Sequence, residues 1–256
     1  MIKIGGSIAD EQQSLEGILK SILTMRNLYD VILVHGGGAE ISRNLKLLEE
    51  PVEFINGLRV TTLKALQMVE MTLSGSVNKK LVSLLNRLSQ NTSLAVGVSG
   101  VDGSTLICEP VDKSLGRVGR IKKVNLYLLT QLLQGGFTPV LSPISVDENA
   151  QHFNVNADEA ASAVAMAFNA DKLIFISDVS GVWDKEKKVI PILNIQKAEE
   201  LIQEGTVKEG MIPKINSCIK VLKSGVSEVH ICGWKNENQL VNQMTGKGDS
   251  GSLITI

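Results

Sequence analysis

Four charged residues and three glycine-bearing loops, spread along the sequence, have chemical types that suit phosphoryl transfer. Glycine lets backbone N–H groups approach an anion closely, and helix N-termini add partial positive charge. Because negative charge spreads over the phosphoryl oxygens during transfer, the reaction needs nearby cations and little covalent help. The set therefore indicates a phosphate site. The charged residues are Lys3, Arg59, Asp158 and Lys214, and the loops contain Gly5-Gly6, Gly36-Gly37-Gly38 and Gly181.

The stretch Asn154-Val155-Asn156-Ala157-Asp158 places two amides and a carboxylate ahead of an alanine-rich run. It predicts a helix that begins at Asn156 or its neighbour, with Asp158 in the first turn. There the negative charge suits the positive end of the helix dipole, and the amides can cap free N–H groups. One interpretation is a well-capped helix alone. The other is a crevice where the amides bind a polar ligand and Asp158 orients a cation.

Other members of the set also have structural alternatives when each is taken alone. Lys3 could be a solvated terminal lysine, and Lys214 could be a surface residue of a helix. His35 could be a structural hydrogen-bonding residue, and Asp178 could cap a loop. The sequence contains no Gly-x-x-x-x-Gly-Lys-Ser/Thr motif, so a P-loop is not supported.

The beginning of the sequence predicts a doubly wound α/β fold. Strands and helices alternate, and a glycine loop follows each strand: a strand over residues 1–4, a helix over 12–27, a buried strand over 31–34 and a second helix. In such folds the ligand site lies at the carboxyl ends of the parallel strands. Both glycine loops would then lie at the site.

The middle of the sequence predicts a hairpin, a long helix and further strands. The pair Asn56-Gly57 indicates a hairpin within residues 51–61. Residues 62–90 predict a long amphipathic helical stretch with a break at Gly75; it is a candidate dimer surface, although core packing would explain the same pattern. Short β elements near the edge of the sheet are predicted for 104–124, and Pro139 leaves the first part of a strand over 137–141 incompletely paired. A loop over 205–213 would deliver Lys214.

Composition narrows the function classes. The 256 residues carry a net charge of −1, which argues against nucleic-acid binding because no basic excess exists to release counterions. The three cysteines and three histidines are scattered and form no metal-ligand pattern. No apolar run could span a membrane, and no signal-peptide core occurs. These features predict a cytoplasmic enzyme or binding protein with no nucleic-acid or membrane partner.

Six short motifs follow one another along the chain: Ile2-Lys3-Ile4-Gly5-Gly6, Val34-His35-Gly36-Gly37-Gly38, Asn56-Gly57-Leu58-Arg59-Val60-Thr61, Asn154-Val155-Asn156-Ala157-Asp158, Ser177-Asp178-Val179-Ser180-Gly181-Val182 and Gly210-Met211-Ile212-Pro213-Lys214. The ordered set resembles the N-acetylglutamate kinases of the amino acid kinase family over essentially the whole chain. The third motif resembles the corresponding stretch of the acetylglutamate kinases more closely than that of the aminoadipate, aspartate, carbamate or uridylate kinases of the same family.

The resemblance implies a fold and a reaction. The fold is a single domain, a three-layer αβα sandwich with a central, mainly parallel sheet of about eight strands. An amino-acid-binding lobe would cover about residues 1–170 and a nucleotide-binding lobe about 171–256. The implied reaction is ATP-dependent phosphorylation of the side-chain carboxylate of N-acetyl-L-glutamate to N-acetyl-L-glutamyl 5-phosphate, the second step of arginine biosynthesis.

The resemblance also assigns roles to residues. Lys3 and Lys214 would stabilise the transition state from opposite sides, and Asp158 would orient them. Mg²⁺ would bridge the phosphates of ATP, with much of its coordination from ATP and water. The binding residues would be Gly37, Gly38, Arg59 and Asn154 for the amino acid, Gly6 and Gly37 for phosphate, and Asp178, Val179, Ser180, Gly181, Val182, Trp183, Thr206, Val207 and Lys208 for the nucleotide.

Two departures from the family pattern stand at the chain ends. The tail Gly248-Asp249-Ser250-Gly251-Ser252 differs from the Gly-Thr pair that ends many members, which leaves the C-terminal strand pairing open. The arginine-inhibited hexameric members carry an extra N-terminal helix, whereas this chain begins almost at Lys3. We therefore expect an arginine-insensitive homodimer formed by the helices of residues 62–90. Light scattering and initial rates, each with and without arginine, test this.

Two alternatives remain open from the sequence. A non-catalytic ligand sensor on the same fold is disfavoured, because binding alone does not require Lys3, Asp158 and Lys214 together. A kinase for a neighbouring substrate, such as aminoadipate on a carrier protein, would be favoured by a basic cluster near the site, and we find no such cluster in the sequence.

Overall fold

The centre of the molecule is a sheet of eight strands, counted over the residues that the structure describes. This computed structural model describes residues 1–5, 12–90, 94–207, 211–234, 236, 240–241 and 251–256. The strands along the chain are β1 (Ile2–Ile4), β2 (Leu33–His35), β3 (Phe54–Ile55), β4 (Leu58–Arg59), β5 (Ala95–Ser99), β6 (Leu106–Pro110), β7 (Val118–Val124), β8 (Thr138–Ser142), β9 (Ile144–Val146), β10 (His152–Val155), β11 (Lys172–Ile176), β12 (Ile192–Asn194), β13 (Glu228–Cys232) and β14 (Ser252–Thr255).

Strand β1 lies in the interior of the large sheet. From edge to edge the order is β12-β14-β13-β11-β1-β2-β8-β5. Neighbouring strands run parallel, except that β13 and β14 are antiparallel. The predicted mainly parallel sheet of about eight strands is therefore confirmed. As expected from Pro139, β8 pairs with β5 from Thr138 onward but with β2 only from Val140 onward.

Helices cover both faces of the sheet, which makes three layers. They are α1 (Gln12–Met25), α2 (Gly38–Leu47), α3 (Leu63–Glu70), α4 (Asn78–Leu88), α5 (Tyr127–Gln134), α6 (Ala157–Phe168), α7 (Ile195–Gln203) and α8 (Ile212–Lys223). Helices α1 and α4 share an apolar cluster with one face of the sheet, and α6 and α8 share another with the opposite face. None of the helices within the described ranges is long and apolar enough to cross a lipid bilayer.

Strand alternation decides which layer each side chain of β1 meets. Ile2 and Ile4 belong to the cluster of α1 and α4. Because successive side chains of a strand point to opposite faces, Lys3 points toward α6 and α8. Its register partners, Val34 and Phe175, belong to that second cluster. The sequence Ile-Lys-Ile thus places one ammonium group in an otherwise apolar layer, where Lys3 is only 8% exposed.

The short strands predicted near the edge of the sheet form a separate unit instead. Strands β6 and β7 pair with β9 and β10 in a small closed barrel, and none of the four joins the large sheet in the part of the chain that is described. Local alternation within residues 104–124 does not specify which distant strand completes the pairing, so the predicted location was wrong. The barrel matters for the site because β10 leads directly into α6.

The predicted helical stretch over 62–90 is continuous, but its hydrogen bonding changes in the middle. Helix α3 ends at Glu70, a π-helical segment spans Met71–Val77, and α4 follows. The break predicted at Gly75 was wrong. Glycine weakens a helix interior, but the flanking Leu73 and Val77 are buried against the rest of the fold and hold the segment in place. Short π-helical segments occur frequently at functional sites.

Candidate active site

One carboxylate holds two lysine ammonium groups beside the central strand. The Nζ atom of Lys3 lies 2.7 Å from Oδ1 of Asp158, and the Nζ atom of Lys214 lies 2.5 Å from Oδ2. All three side chains are largely buried, so solvent screens these charges only weakly. Three predicted site residues, distant in sequence, therefore meet at one point.

The N-terminus of α6 fixes Asp158 before any ligand binds. Asn156 is the N-cap, and its side chain accepts hydrogen bonds from the backbone N–H groups of Asp158 and Glu159. This confirms the helix start and the cap predicted from the sequence. The partial positive charge of the helix end also favours a carboxylate in the first turn.

Lys214 comes from the first turn of α8 rather than from a loop. The helix begins at Ile212, and Pro213 suits its first positions because an N–H group there would have no intrahelical acceptor. The predicted loop over residues 205–213 was therefore slightly too long. The ammonium group lies 4.9 Å from the centre of the Phe175 ring, which adds a cation–π contact.

Burial and pairing act in opposite directions on these charges. Burial lowers the pKa of Lys3, and the negative charge of Asp158 partly offsets that effect. Burial alone would raise the pKa of Asp158, but attraction to Lys3 and Lys214 outweighs it, so the pKa lies below its ordinary value. The carboxylate is therefore ionised at neutral pH and can hold the two cations together.

A first cleft, of about 230 Å³, opens beside Lys3 and Asp158. The loop after β2, the β3–β4 hairpin, the end of β10 and the start of α6 contribute its walls. The structure therefore brings together all of the residues predicted to hold the amino acid, which are Gly37, Gly38, Arg59 and Asn154.

Arg59 is anchored through one terminal nitrogen, and the other has no hydrogen-bond partner among the described residues. Its Nη2 donates to the carbonyl oxygen of Gly38 at 2.9 Å and to Oγ of Ser42 at 2.8 Å. The ring centre of Phe54, its cross-strand partner, lies 4.6 Å from the guanidinium carbon. Nη1 is buried and has no hydrogen-bond partner among the described residues. Because an unpaired buried donor is costly, Nη1 is a candidate contact for an acceptor atom of a ligand.

Asn154 reaches the same cleft from the barrel. Its Nδ2 donates to Oγ1 of Thr61 at 3.2 Å, and that hydroxyl donates to the carbonyl oxygen of Arg59 at 2.8 Å. Thr61 is fully buried. These bonds tie the barrel strand to the strand that carries Arg59 and so hold the Asn154 and Arg59 side chains at a fixed separation.

Two residues that position Arg59 were missed in the sequence. Phe54 could have been found, because a two-residue turn at Asn56-Gly57 sets it directly opposite Arg59. Ser42 lies one turn into α2, and its contact with Arg59 depends on how that helix lies against the hairpin. The local sequence around Ser42 therefore does not predict its contact with Arg59.

A second cleft, of about 620 Å³, reaches Lys214 from the other side of the site. Trp183 is 36% exposed, and its Nε1 donates to Oγ of Ser180 at 3.2 Å. Oγ1 of Thr206 is buried without a hydrogen-bond partner in the described ranges. The predicted nucleotide residues that line this cleft are Asp178, Val179, Gly181, Val182, Trp183, Thr206 and Val207.

The two clefts meet at the charged trio. Lys3 and Asp158 line the first cleft and Lys214 lines the second, so a group that passes between ligands in the two clefts travels past both ammonium groups. Two predicted site residues, Gly6 and Lys208, lie outside the described residues, as does the tail over 248–250.

Comparisons with known proteins point to one family. The sequence profile described as "Amino acid kinase family" matches residues 1–233. An acetylglutamate kinase of Geobacillus kaustophilus (strain HTA426) is 46% identical over 237 residues, which cover 92% of this chain and 90% of the relative. Another, from Hydrogenobaculum sp. (strain Y04AAS1), is 39% identical over 261 residues, which cover 100% and 91%.

A solved structure extends the similarity to three dimensions. The crystal structure of smu.665 from Streptococcus mutans UA159 matches with a TM-score of 0.84 at 29% identity, over 99% of this chain and 97% of that chain. The profile covers most of the chain, and both sequence relatives cover more than nine tenths of it. The chain therefore belongs to the amino acid kinase family.

Proposed function

We propose that this chain transfers the γ-phosphoryl group of ATP to the side-chain carboxylate of N-acetyl-L-glutamate. The product is N-acetyl-L-glutamyl 5-phosphate, the second intermediate of arginine biosynthesis. The observation that carries the proposal is the pair of lysines held by Asp158 where the two clefts meet. The relatives named acetylglutamate kinase support the choice of substrate.

The reaction needs positioning and charge stabilisation more than covalent help. A carboxylate oxygen of the amino acid attacks the γ-phosphorus, the bond to the β–γ bridging oxygen breaks, and ADP leaves with that electron pair. Negative charge then spreads over the transferred phosphoryl group. Lys3 and Lys214 stabilise that charge, while Asp158 keeps these two like charges close together.

The amino acid binds in the first cleft. Nη1 of Arg59, which is unpaired among the described residues, donates a hydrogen bond to the α-carboxylate of the amino acid, since Nη2 is already bonded to Gly38 and Ser42. Charge-assisted hydrogen bonds of this kind are strong. Gly37 and Gly38 lie at the start of α2, where N–H groups lack intrahelical acceptors and can bind an anion. Asn154 contributes an amide on the opposite wall.

ATP binds in the second cleft and brings Mg²⁺ with it. The free hydroxyl of Thr206 and the residues from 178 to 183 contact the nucleotide, with Gly6 and Lys208 completing the phosphate and nucleotide contacts. Within the described ranges no group of three or more His, Cys, Asp or Glu side chains could hold a metal ion. We propose that the ligands of the Mg²⁺ ion come largely from phosphate oxygens and water.

Three further features belong to the same proposal. Residues 1–170 form the amino-acid lobe and residues 171–256 the nucleotide lobe of one domain. The protein acts in the cytoplasm. It works as a homodimer joined through the helical stretch of α3, the π-helical segment and α4.

A substrate panel tests the proposed reaction. Purified protein is given Mg²⁺ and ATP with N-acetylglutamate, glutamate, aspartate or N-acetyl-aminoadipate, and ADP release is measured by a coupled assay. We expect ADP release to depend on N-acetylglutamate and to be far slower with the other three acids. Release that follows acetyl-aminoadipate instead would favour the neighbouring kinase, and ligand binding without any release would favour a sensor.

Arg59→Lys is expected to weaken binding of the amino acid but not of ATP. Lysine keeps the positive charge but lacks the planar fork, so its single nitrogen cannot occupy the position of Nη2 beside Gly38 and Ser42 and the position of Nη1 at the same time. Loss of one charge-assisted hydrogen bond predicts about a tenfold rise in the Kd for N-acetylglutamate. Calorimetry with each ligand measures this, and Arg120→Lys, at an exposed position of strand β7, is the control. Equal weakening of both ligands would show that Arg59 is structural.

Met71→Glu is expected to dissociate the homodimer. Leu63 and Met71 are 61% and 66% exposed on the helical stretch, and a carboxylate there would lose hydration in a self-complementary interface. Sedimentation velocity at one protein concentration measures the mass of each variant. Leu28→Glu, another substitution at an exposed apolar residue, is the control and leaves the dimer intact. A monomeric wild type, or a dimeric Met71→Glu variant, would remove this surface from the proposal.

A further inference from the structure

A buried polar network lies directly beneath the glycine loop of the first cleft. His35 ends β2 and is fully buried, and Asn78 begins α4 and is 1% exposed. Nε2 of His35 lies 3.1 Å from Nδ2 of Asn78, and Nδ1 lies 3.0 Å from the carbonyl oxygen of Gly36. Neither side chain lines the cleft itself. The network therefore contacts the loop from the side opposite the ligand.

The hydrogen bonds fix which ring nitrogen of His35 carries the proton. Nδ2 of Asn78 also donates to the carbonyl oxygen of Val140 at 2.9 Å, and a carbonyl can only accept, so the amide nitrogen must face this way. Nε2 of His35 must then accept from Nδ2, which leaves the proton on Nδ1. Burial lowers the pKa of His35 to about 4, so the ring is neutral and Nδ1–H donates to Gly36.

That bond determines the direction of one backbone N–H group. In a planar trans peptide the C=O and N–H bonds point in opposite directions. The carbonyl oxygen of Gly36 points down to the buried ring, so the N–H of Gly37 points up, toward the cleft that Gly36 and Gly37 line. The N–H of Gly36 is held as well, because it donates to the carbonyl oxygen of Ile4 at 3.1 Å.

The π-helical segment brings Asn78 to this position and supports the loop. A Cβ atom added to Gly37 would lie 2.7 Å from Cδ2 of Leu73 and 3.3 Å from Cγ2 of Val77, so both side chains pack closely on the loop. Oγ of Ser74 lies 2.8 Å from Oγ of Ser142 at the end of β8. A π-helix has more residues per turn than an α-helix. Residues 73, 74, 77 and 78 therefore face the same edge of the sheet, whereas an α-helix would distribute them over a wider arc of its surface.

We propose that His35 and Asn78 are positioning residues for phosphoryl transfer: they hold the Gly36–Gly37 peptide so that the N–H of Gly37 is aimed at the transferred phosphoryl group. Neither residue touches substrate. The inference rests on the proposed function and deepens it, because it names the two residues that orient an anion-binding N–H group toward the same phosphoryl group as Lys3 and Lys214.

Two substitutions at His35 separate its two bonds. Asparagine places its amide nitrogen close to the position of Nδ1 and keeps a donor for Gly36, whereas glutamine reaches the position of Nε2 and loses that donor. Because a misplacement of about 1 Å can cost about 10²-fold in rate, we expect His35→Gln to lower kcat by about 10- to 100-fold, with a smaller rise in the KM for N-acetylglutamate and little change in the KM for ATP. His35→Asn should restore kcat to within about threefold of wild type.

The readout is kcat per folded molecule, with the folded fraction measured by circular dichroism. His152→Gln is the matched control: this histidine is partly exposed and pairs with Glu70 outside the clefts, so kcat should not change. A purely structural role for His35 would lower the melting temperature of both His35 variants while leaving kcat per folded molecule equal to wild type. That result, or equal kcat values for the two variants, would overturn the inference.

A spectrum of the wild type tests the geometry even if a variant fails to fold. Long-range ¹H–¹⁵N correlation of histidine side chains distinguishes the neutral ring protonated at Nδ1 from that protonated at Nε2, and His35→Asn or Asn78→Ala identifies the signal. We expect a neutral His35 ring protonated at Nδ1 at neutral pH, and an Nε2–H ring would overturn the inference. A wild type that shows this signal but does not phosphorylate N-acetylglutamate would refute the proposed function alone.

Discussion

Replacing Lys214 by alanine is expected to lower kcat by about 10²–10³, with little change in the KM for N-acetylglutamate. The ammonium group lies where the two clefts meet, so it meets charge that develops only in the transition state. The amino-acid site proposed above lies in the first cleft, which Lys214 does not line. Steady-state kinetics with both substrates varied measure the effect.

The neighbouring lysines of α8 offer a matched control for this substitution. Lys220 lies on the same helix and is exposed, so Lys220→Ala should leave kcat within about twofold of wild type. A Lys214→Ala variant with near-normal kcat would remove Lys214 from the mechanism. A large rise in the KM for N-acetylglutamate at unchanged kcat would instead assign it to ground-state binding.

Asp158→Asn is expected to reduce kcat at least as much, by about 10³, because both lysines lose the carboxylate that holds them. The amide keeps the shape and the helix position but not the negative charge. Lys3, which is 8% exposed, would then face a second ammonium group without a counter-ion. Asp30→Asn, at an exposed position, is the control and should retain full activity.

The same substitution is expected to destabilise the fold in a pH-dependent way. Breaking a buried ion pair by removing one partner costs about 3 kcal/mol in the free energy of unfolding. The pKa of Asp158 is lowered in the folded state, so its contribution is fully present above the ordinary aspartate value of 3.8 and is lost as the pH falls below it. Urea unfolding at pH 7 and near pH 3 should show a gap between wild type and Asp158→Asn that narrows at the lower pH. A gap that widens as the pH falls would contradict the ion pair.

Local patterns predicted the parts of the site that local physics controls. The strand over residues 1–4 follows from its apolar run, and the Asn156 cap with Asp158 in the first turn follows from the chemistry of helix ends. The glycine loop after β2 was predicted to lie at the site, and it lines the first cleft. These features depend on neighbours within a few residues, so the sequence contains them.

Features that depend on distant packing were not predicted. The same residues can form hydrogen bonds between positions i and i+4 or between i and i+5, so the local sequence did not distinguish a π-helical segment from a break at Gly75. The packing of Leu73 and Val77 against Gly37 favours the π-helical segment. The pairing of β6 and β7 with β9 and β10 likewise depends on strands far along the chain. The Ser42 contact to Arg59 and the Asn78 contact to His35 depend on how helices lie against the sheet.

Trapping the product with hydroxylamine tests most directly the claim that a phosphoryl group moves from ATP to a carboxylate past Lys3, Asp158 and Lys214. An acyl phosphate reacts with hydroxylamine to form a hydroxamate, which is measured together with ADP. We expect one hydroxamate for each ADP when the wild type receives Mg²⁺, ATP and N-acetylglutamate, and a loss of both products in Lys214→Ala. ADP release without hydroxamate, or release that does not depend on N-acetylglutamate, would contradict the account.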